Sequence, residues 1–269
     1  MDTVVSRDGT VIAYERTGEG PAVVLVGGAL SSRETAAPLA SQLAGPVAAV
    51  SYDRRGRGDS GDTDPYAVAR EVEDLAAVVE AVGGSARVLG YSSGAALALE
   101  AAAEGVPITH LALYEPPYIV DESRPPVPPD YLDRLTSLLR AGRRGDAVAL
   151  FFTEAAAMPA DALDQLRRSP LWEVGEALAH TLPYDATIMA ESTRGDTFPP
   201  RLFGDVHVRT LVLDGGASPA WMHRAAQAVA DALPLGQRRT LEGQTHRVDP
   251  EVLAPVLLDF FAVEEAFGA

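Results

Sequence analysis

Short apolar segments alternate with amphipathic ones along most of the 269-residue chain. AVVLVGG at 22–28 and GPVAAVSYD at 45–53 are apolar nearly throughout and end in turn residues, which is typical of parallel strands covered on both faces. The segment 64–84 places apolar residues at spacings of three and four and ends in two glycines, so it predicts an amphipathic helix. This alternation predicts an α/β fold with a doubly wound, mostly parallel sheet.

The other elements extend the same pattern. Residues 3–18 predict an antiparallel hairpin that turns at Asp8 and Gly9. Further strands are predicted at 86–90, 108–115, 206–214 and 237–243, and further helices at 34–43, 92–105, 219–233 and 249–267.

One long segment interrupts the alternation. Residues 116–131 are too rich in proline for a strand of the sheet, and the pattern from there to about residue 200 is helical. We therefore divide the chain into an α/β core, formed by 1–116 and 205–269, and an inserted helical lid at 117–204. Ligands of open α/β sheets bind at the carboxyl ends of the strands, and we expect the lid to cover that edge.

Composition limits the chemistry. The chain has no cysteine and no lysine, which excludes disulfides, thiolate metal sites, cysteine nucleophiles and lysine Schiff bases. Its formal net charge of −16 at pH 7 opposes binding to nucleic acids and to anionic membranes. We expect a small-molecule substrate as the partner, with no cofactor and no metal.

The amino-terminal segment MDTVVSRDGTVIAYERTG lacks the basic start and apolar core of a secretory signal. No apolar run reaches the ~18 residues that span a bilayer. These features predict a cytoplasmic protein.

A serine pentapeptide, GYSSG at 90–94, stands between a predicted strand and a predicted helix. In the G-x-S-x-G motif the nucleophile occupies a strained turn, and larger side chains two positions away would collide with the backbone. Ser92 has glycine at both of those positions, whereas Ser93 has Tyr91 and Ala95. The pattern selects Ser92, although a glycine-rich turn without catalytic function fits the pentapeptide alone equally well.

Three further segments, with GYSSG, resemble the α/β-hydrolase superfamily in the same order along the chain. VVLVGGALSSR is similar to the strand and His-Gly loop that supplies an oxyanion-hole amide, with Gly27 in place of the histidine. VSYDRRGRGDSGD is similar to the loop after the next strand, and LEGQTHRVDPEVLAPVLLDFF to the catalytic-histidine loop and the final helix. The resemblance covers nearly the whole chain and implies an α/β-hydrolase fold with a serine nucleophile.

The loop GRGDSG at 56–61 also fits G-x-G-x-x-G, the pattern of a dinucleotide site. The phosphate-binding fingerprint opens its helix directly, whereas DTDPY intervenes here before the helix. We therefore interpret Arg54, Arg55 and Arg57 as residues that hold this loop or lie on the surface.

A serine needs a base to remove its proton, and the chain has five histidines. Four of them lie in predicted strands, in a predicted helix or in the insertion, and we expect structural roles for them: His110, His180, His207 and His223. His246 follows the last strand, where the superfamily carries its base, so the resemblance makes His246 the base.

The acid that would orient His246 departs from the superfamily's usual pattern. The common position is the aspartate of Leu-x-Gly-x-x-Asp-Pro, and the matching segment LDGGASP has Ser218 there. Glu115 is the first choice, because it ends a core strand from which some branches, such as certain haloalkane dehalogenases, take their acid. Pro116 is expected to keep the backbone of Glu115 extended.

Asp214 is the second choice for the acid, since it ends the strand before that segment, and a Ser–His dyad without a carboxylate is the third. Both carboxylates lie between Ser92 and His246, as the superfamily's Ser–acid–His order requires.

The expected oxyanion-hole donors are backbone amides. Ser93 follows the nucleophile, and Ala29 follows the Gly27-Gly28 pair. We also expect some aromatic residues of the insertion, with Trp221, to line an apolar acyl or ring pocket. The aromatic residues that the insertion offers for this include Tyr118, Tyr131, Phe151, Phe152, Trp172, Tyr184 and Phe198.

These residues predict a serine hydrolase that cleaves a small or medium-sized ester or lactone through an acyl-enzyme. A cofactor-independent lyase, cyclase or perhydrolase with the same Ser–His site is the alternative, because such branches often modify the triad. A non-catalytic ligand-binding protein is a third hypothesis, and it predicts ligand binding that Ser92→Ala leaves unchanged. Epoxide hydrolysis and dehalogenation are disfavoured, since both need an aspartate where Ser92 stands.

Overall fold

A single eight-stranded sheet lies at the centre of the computed structural model, which describes residues 1–190, 201–204 and 206–262. The strands are β1 (Asp2–Val5), β2 (Val11–Thr17), β3 (Ala22–Val26), β4 (Ala48–Tyr52), β5 (Ala86–Tyr91), β6 (Ile108–Tyr114), β7 (Arg209–Gly215) and β8 (Gly236–Leu241). Their order across the sheet is β1-β2-β4-β3-β5-β6-β7-β8.

Eleven α-helices lie between or after these strands in the described part of the chain. They are α1 (Arg33–Leu43), α2 (Val68–Ala81), α3 (Ser93–Ala103), α4 (Tyr131–Arg140), α5 (Arg144–Leu150), α6 (Ala160–Arg167), α7 (Leu171–Leu178), α8 (Leu182–Ile188), α9 (Arg201–Gly204), α10 (Ala220–Ala232) and α11 (Pro250–Phe261).

The sheet is parallel except at one side. β1 pairs antiparallel with β2, and β2 pairs antiparallel with β4, while every pair from β4 to β8 is parallel. Gly9 turns the predicted hairpin with φ +90°, in the left-handed region that glycine enters without a steric penalty. The prediction of a doubly wound, mostly parallel sheet is confirmed.

Two apolar layers hold helices on opposite faces of the sheet. α2, α3 and α10 pack on one face, and α1 and α11 pack on the other. All five residues of β3 and all five of β4 are buried, as strands covered on both faces require. The central strands are therefore apolar nearly throughout because helices cover both faces of the sheet.

The segment between β6 and β7 carries α4 to α9, with a π-helical turn at Phe151–Ala155 and a 3₁₀ turn at Ala179–Thr181. It has a small apolar core of its own, against which Ala29 and Leu30 of the loop after β3 pack. In addition, α8 contacts α3. These contacts bring the helical segment to the edge of the sheet where the parallel strands end. The boundaries of the lid at residues 117 and 204 stay predictions.

Some predicted bounds change in the structure. The helix predicted at 64–84 begins only at Val68, and the last helix is described to Phe261. The predicted extension of that helix to 267 and the helical pattern of 191–200 lie outside the described residues. In the described ranges, no helix is both long enough and apolar enough to cross a membrane.

Candidate active site

Ser92 occupies a strained turn between β5 and α3. Its backbone has φ 56° and ψ −124°, a conformation that a residue with a side chain adopts only when its surroundings hold it there. The N–H of Ser92 donates to Tyr114 O at 2.9 Å, and Ala95 N–H donates to Ser92 O at 2.8 Å. The half-buried serine thus sits at the carboxyl end of β5 with its backbone held from both sides.

Gly90 and Gly94, the two glycines around Ser92, occupy positions where a side chain would not fit. A Cβ added to Gly90 would lie 2.5 Å from Ala95 Cα, and one added to Gly94 would collide with the carbonyl oxygens of Val26 and Gly27. Side chains at these positions would push α3 away from the sheet. This is the spacing that the sequence pattern indicated for Ser92.

Glu115 lies beside this turn, directly after β6, and is 1% exposed. Its Oε2 is 2.7 Å from His246 Nδ1, and its Oε1 accepts a hydrogen bond from Gly215 N–H at 2.9 Å. A carboxylate at Nδ1 favours the histidine tautomer with its proton on Nδ1, which leaves the Nε2 lone pair free to accept a proton. The structure therefore brings His246 together with the first-choice acid.

The backbone of Glu115 differs from the expectation. Its φ is +46°, in the left-handed region, whereas Pro116 was expected to keep it extended. The side-chain bonds to His246 and Gly215 act with a backbone bond from Glu115 N–H to Leu213 O at 2.8 Å. These tertiary contacts outweigh the local preference that a following proline imposes.

His246 lies in the loop after β8 with a side chain that is 40% exposed. Its ring packs against Tyr91, the residue before the serine, at a centroid distance of 5.2 Å. The hydroxyl of Tyr114 donates to Thr245 O at 2.6 Å and so attaches the histidine loop to the end of β6. Two core strands thus fix the ring near the carboxyl ends of the sheet.

Asp214, the second-choice acid, contacts a different histidine. It lies within β7, opposite Thr240 of β8, and its fully buried carboxylate accepts two hydrogen bonds from Arg238, at 2.8 and 2.9 Å. His223 Nδ1 of α10 is 2.6 Å away. Since residues two apart on a strand share a face, Arg238 and Thr240 meet Asp214 on the α10 side. The Asp214 carboxylate is thereby bound to groups other than His246.

Asp214→Asn is expected to lower the free energy of unfolding by about 2 kcal/mol at pH 7, because the amide cannot receive the charged bonds of Arg238. Burial opposes ionisation, but the hydrogen bonds from Arg238 and His223 outweigh it, so the pKa of Asp214 lies below its ordinary value.

This lowered pKa gives the stability a pH dependence. As the pH falls, the Asp214 carboxylate is protonated in the unfolded chain before it is protonated in the folded protein. The stabilisation that Asp214 contributes is therefore complete above the ordinary aspartate pKa of ~3.9 and is lost progressively below it. Urea denaturation of both proteins at several pH values measures this, and an equal difference at pH 7 and pH 3 would contradict it.

Ser218, at the superfamily's usual acid position, is 8% exposed. Its Oγ has no hydrogen-bond partner within the described part of the chain. The loop that carries it is attached to the histidine loop by a bond from Ala217 N–H to Gln244 O at 2.8 Å. The usual acid position thus lies close to the histidine loop but carries no charge.

The loop after β3 passes directly over the serine. A Cβ added to Gly28 would lie 2.9 Å from Ser92 Cβ. Ser93 is the first residue of α3, so its N–H is one that the helix leaves unpaired. Ala29 N–H likewise has no backbone partner among the described residues. The two expected oxyanion donors thus belong to the residues that follow Ser92 and Gly28, and their role stays a prediction.

The three arginines of the loop after β4 are buried rather than on the surface. Arg54 pairs with Glu71, Arg55 with Asp74, and Arg57 with Asp185 of the helical segment. They hold the loop, as one of the two interpretations from the sequence predicted. Neither Asp185 nor its contact with this loop carries a signal in the sequence, because 128 positions separate it from Arg57.

The other histidines have contacts of their own. His110 is buried against Phe260 and Phe261, and His180 Nε2 is 2.7 Å from Gly56 O. His207 is exposed, and His223 pairs with Asp214. In the described ranges, no group of three His, Asp or Glu side chains is arranged to hold a metal ion.

The aromatic residues divide between several environments. Tyr118 is buried in the main core, Tyr131 is buried in the core of the helical segment, and Phe151 and Phe152 pack around that smaller core. Three others contact polar groups or a second ring: Trp172 lies under Arg167, Trp221 lies under Arg124, and Tyr184 stacks on Tyr66. Phe198 lies outside the described residues.

The family follows from a direct comparison. Residues 23–256 match the model of the alpha/beta hydrolase family, and the chain belongs to this family. An alpha/beta hydrolase from Sphaerobacter thermophilus is 58% identical, with a TM-score of 0.93 over 97% of this chain and 100% of that chain.

Two more distant structures share the fold. A thermophilic esterase from Thermogutta terrifontis has 20% identity and a TM-score of 0.74, with 97% of each chain covered. An enol-lactonase from Burkholderia xenovorans has 19% identity and a TM-score of 0.72, over 97% of this chain and 100% of that chain.

Proposed function

We propose that the protein is a serine hydrolase that cleaves a small or medium-sized ester or lactone through an acyl-enzyme intermediate. The observation that carries this proposal is the hydrogen bond between His246 Nδ1 and buried Glu115, beside the strained turn of Ser92. A nucleophile, a base and an acid that orients the base are the groups that acyl transfer needs.

In the first half-reaction, Ser92 Oγ attacks the carbonyl carbon and His246 Nε2 takes the hydroxyl proton. Glu115 keeps the other ring nitrogen protonated and stabilises the imidazolium that forms. The amides of Ala29 and Ser93 bind the oxygen that becomes negatively charged in the tetrahedral intermediate. His246 then gives its proton to the leaving alcohol, and the acyl group stays on Ser92.

In the second half-reaction, water attacks the acyl-enzyme. His246 takes a proton from the water and returns it to Ser92 Oγ when the acid product leaves. In a lactone the leaving alcohol and the acyl group belong to one molecule, so the same steps open the ring. No metal and no cofactor takes part in these proposed reaction steps.

The choice of substrate class rests on the family and on the fold. Family membership supports a hydrolase, and both an esterase and an enol-lactonase share the fold. We therefore infer that esters and lactones are the first substrates to examine.

The test is a panel of p-nitrophenyl esters with acyl chains of two to eight carbons and of five- and six-membered lactones, followed by acid release at constant pH. We expect turnover of at least one ester or lactone. An enzyme that reacts with a phosphonate at Ser92 but turns over no panel member would instead favour the lyase, cyclase or perhydrolase alternative.

A further inference from the structure

The helical segment contributes a buried carboxylate to the loops around Ser92. Asp185 lies on α8 and is 3% exposed. Its Oδ1 accepts a hydrogen bond from Ser93 Oγ at 2.8 Å and another from Arg54 Nη1 at 2.8 Å. Its Oδ2 accepts from Arg57 Nη2, also at 2.8 Å. One carboxylate thus binds the residue after the nucleophile and two arginines of the loop after β4.

The same two arginines hold the carbonyl groups of the loop after β3. Arg54 Nη1 donates to Gly27 O at 3.2 Å, and Arg57 Nη1 donates to Gly28 O. Ser31 Oγ donates to Gly28 O as well, at 2.6 Å. Each guanidinium therefore connects Asp185 to one carbonyl of the Gly27-Gly28 pair.

The hydrogen bond to Gly28 O also fixes the orientation of the Ala29 amide, because both groups belong to one peptide. The C=O of Gly28 and the N–H of Ala29 belong to one planar trans peptide, so they point in opposite directions. Binding of the carbonyl by Arg57, together with Ser31, therefore sets the direction of the Ala29 N–H. Because this peptide lies directly beside Ser92, a rotation of it would move the amide away from the reacting oxygen.

Asp185 is held in its charged form. Burial opposes ionisation, but Arg57 and Arg54 outweigh it and lower the pKa of Asp185 below its ordinary value. The carboxylate can then accept all three hydrogen bonds at once. A neutral amide in its place would present one acceptor oxygen and one donor nitrogen, and the donor would face a guanidinium.

We propose that Asp185 is a positioning residue for the oxyanion hole, which orients the Ala29 amide through Arg57 and holds Ser93 through its hydroxyl. The oxyanion hole is then complete only when α8 of the helical segment is docked against α3. This inference rests on the proposed function, since it concerns the donors of that reaction.

Asp185→Asn tests it on an ester that the wild-type protein hydrolyses. We expect kcat to fall by about 10- to 100-fold, because displaced oxyanion donors lose their effect in the transition state. KM should stay within about threefold, because the loss is specific to the transition state. The rate of phosphonylation of Ser92 should fall by the same factor as kcat, since the phosphoryl oxygen uses the same donors.

Asp74→Asn is the matched control. Asp74 is also about 1% exposed, and it receives two hydrogen bonds from Arg55, both at 2.7 Å. Its loss removes a buried ion pair of the same kind without a bond to Ser93 or to the arginines that hold Gly27 and Gly28. We expect a similar loss of thermal stability and an unchanged kcat.

Arg57→Lys is the second variant, and it carries the test if Asp185→Asn does not fold. Lysine keeps the charge but lacks the planar fork that reaches Asp185 and Gly28 O together, so kcat should fall while KM stays. The proposal would be overturned if Asp185→Asn and Arg57→Lys, or whichever of them folds, had a kcat within twofold of that of Asp74→Asn. Failure of the proposed function would look different, because the wild-type protein itself would hydrolyse no ester or lactone.

Discussion

Ser92→Ala is expected to lower kcat/KM for ester hydrolysis by about 10⁴- to 10⁶-fold, the range seen when a nucleophile acting as part of a triad is removed. The strained turn presents the serine hydroxyl at the carboxyl end of β5, and alanine fits this backbone without offering a nucleophile. The fold should therefore be kept and only the chemistry lost. Steady-state kinetics with a p-nitrophenyl ester, together with thermal denaturation, measures both.

Ser218→Ala is the control for this result. Ser218 is buried near the histidine loop, and its Oγ has no hydrogen-bond partner among the described residues. Loss of that hydroxyl should leave kcat/KM within about twofold of wild type. Equal activity of Ser92→Ala and Ser218→Ala would contradict the assignment of Ser92 as the nucleophile.

Glu115→Gln is expected to lower kcat by about 10³- to 10⁴-fold, because a neutral amide neither fixes the histidine tautomer nor stabilises the imidazolium. Glutamine is nearly isosteric and can still accept the bond from Gly215 N–H, so the strained backbone at this position keeps one of its supports. Kinetics across pH 5 to 9 should show the loss at every pH.

Asp214→Asn is the matched control for the acid, since its carboxylate is equally buried and also contacts a histidine. It should lower stability and leave kcat unchanged. The reverse pattern, with activity lost in Asp214→Asn and kept in Glu115→Gln, would contradict the choice of Glu115. Activity kept in both would favour a Ser–His dyad.

The choice between these two carboxylates shows what local sequence can and cannot predict. Both Glu115 and Asp214 stand at the ends of apolar strands, and the pattern alone left both open. The structure separates them by backbone conformation. Asp214 is still inside β7, so its side chain faces Arg238 and Thr240. Glu115 lies one residue beyond β6 and has left-handed backbone, with φ +46°. The backbone conformation at the strand end therefore decides which histidine each carboxylate meets.

The turn of Ser92 was predictable because its requirements are local. Glycines two positions away on either side, a strand before and a helix after are all visible within a few residues. The backbone of Glu115 was predicted wrongly for the opposite reason, because contacts with Gly215 and His246 from distant parts of the chain override the preference imposed by Pro116.

The burial of Arg54 and Arg57 could not be predicted from the sequence pattern. In the sequence, Arg54 and Arg57 stand in a polar glycine-rich loop and suit a surface position as well as a buried one. Their burial depends on Glu71 and Asp185, of which the second lies in a segment with no motif. A long-range ion pair leaves no periodicity in either partner's neighbourhood, so only the folded chain reveals it.

The role of Ser92 as nucleophile is tested most directly by the mass of the protein after reaction with a p-nitrophenyl phosphonate, followed by fragmentation of the modified peptide. A phosphonate mimics the tetrahedral intermediate and bonds to the activated nucleophile. We expect one phosphonyl group per chain, on Ser92 and not on Ser93, and no modification of Ser92→Ala. An ester-hydrolysing protein that takes up no phosphonate at Ser92, or takes it up at another residue, would contradict the assignment of Ser92 as the nucleophile.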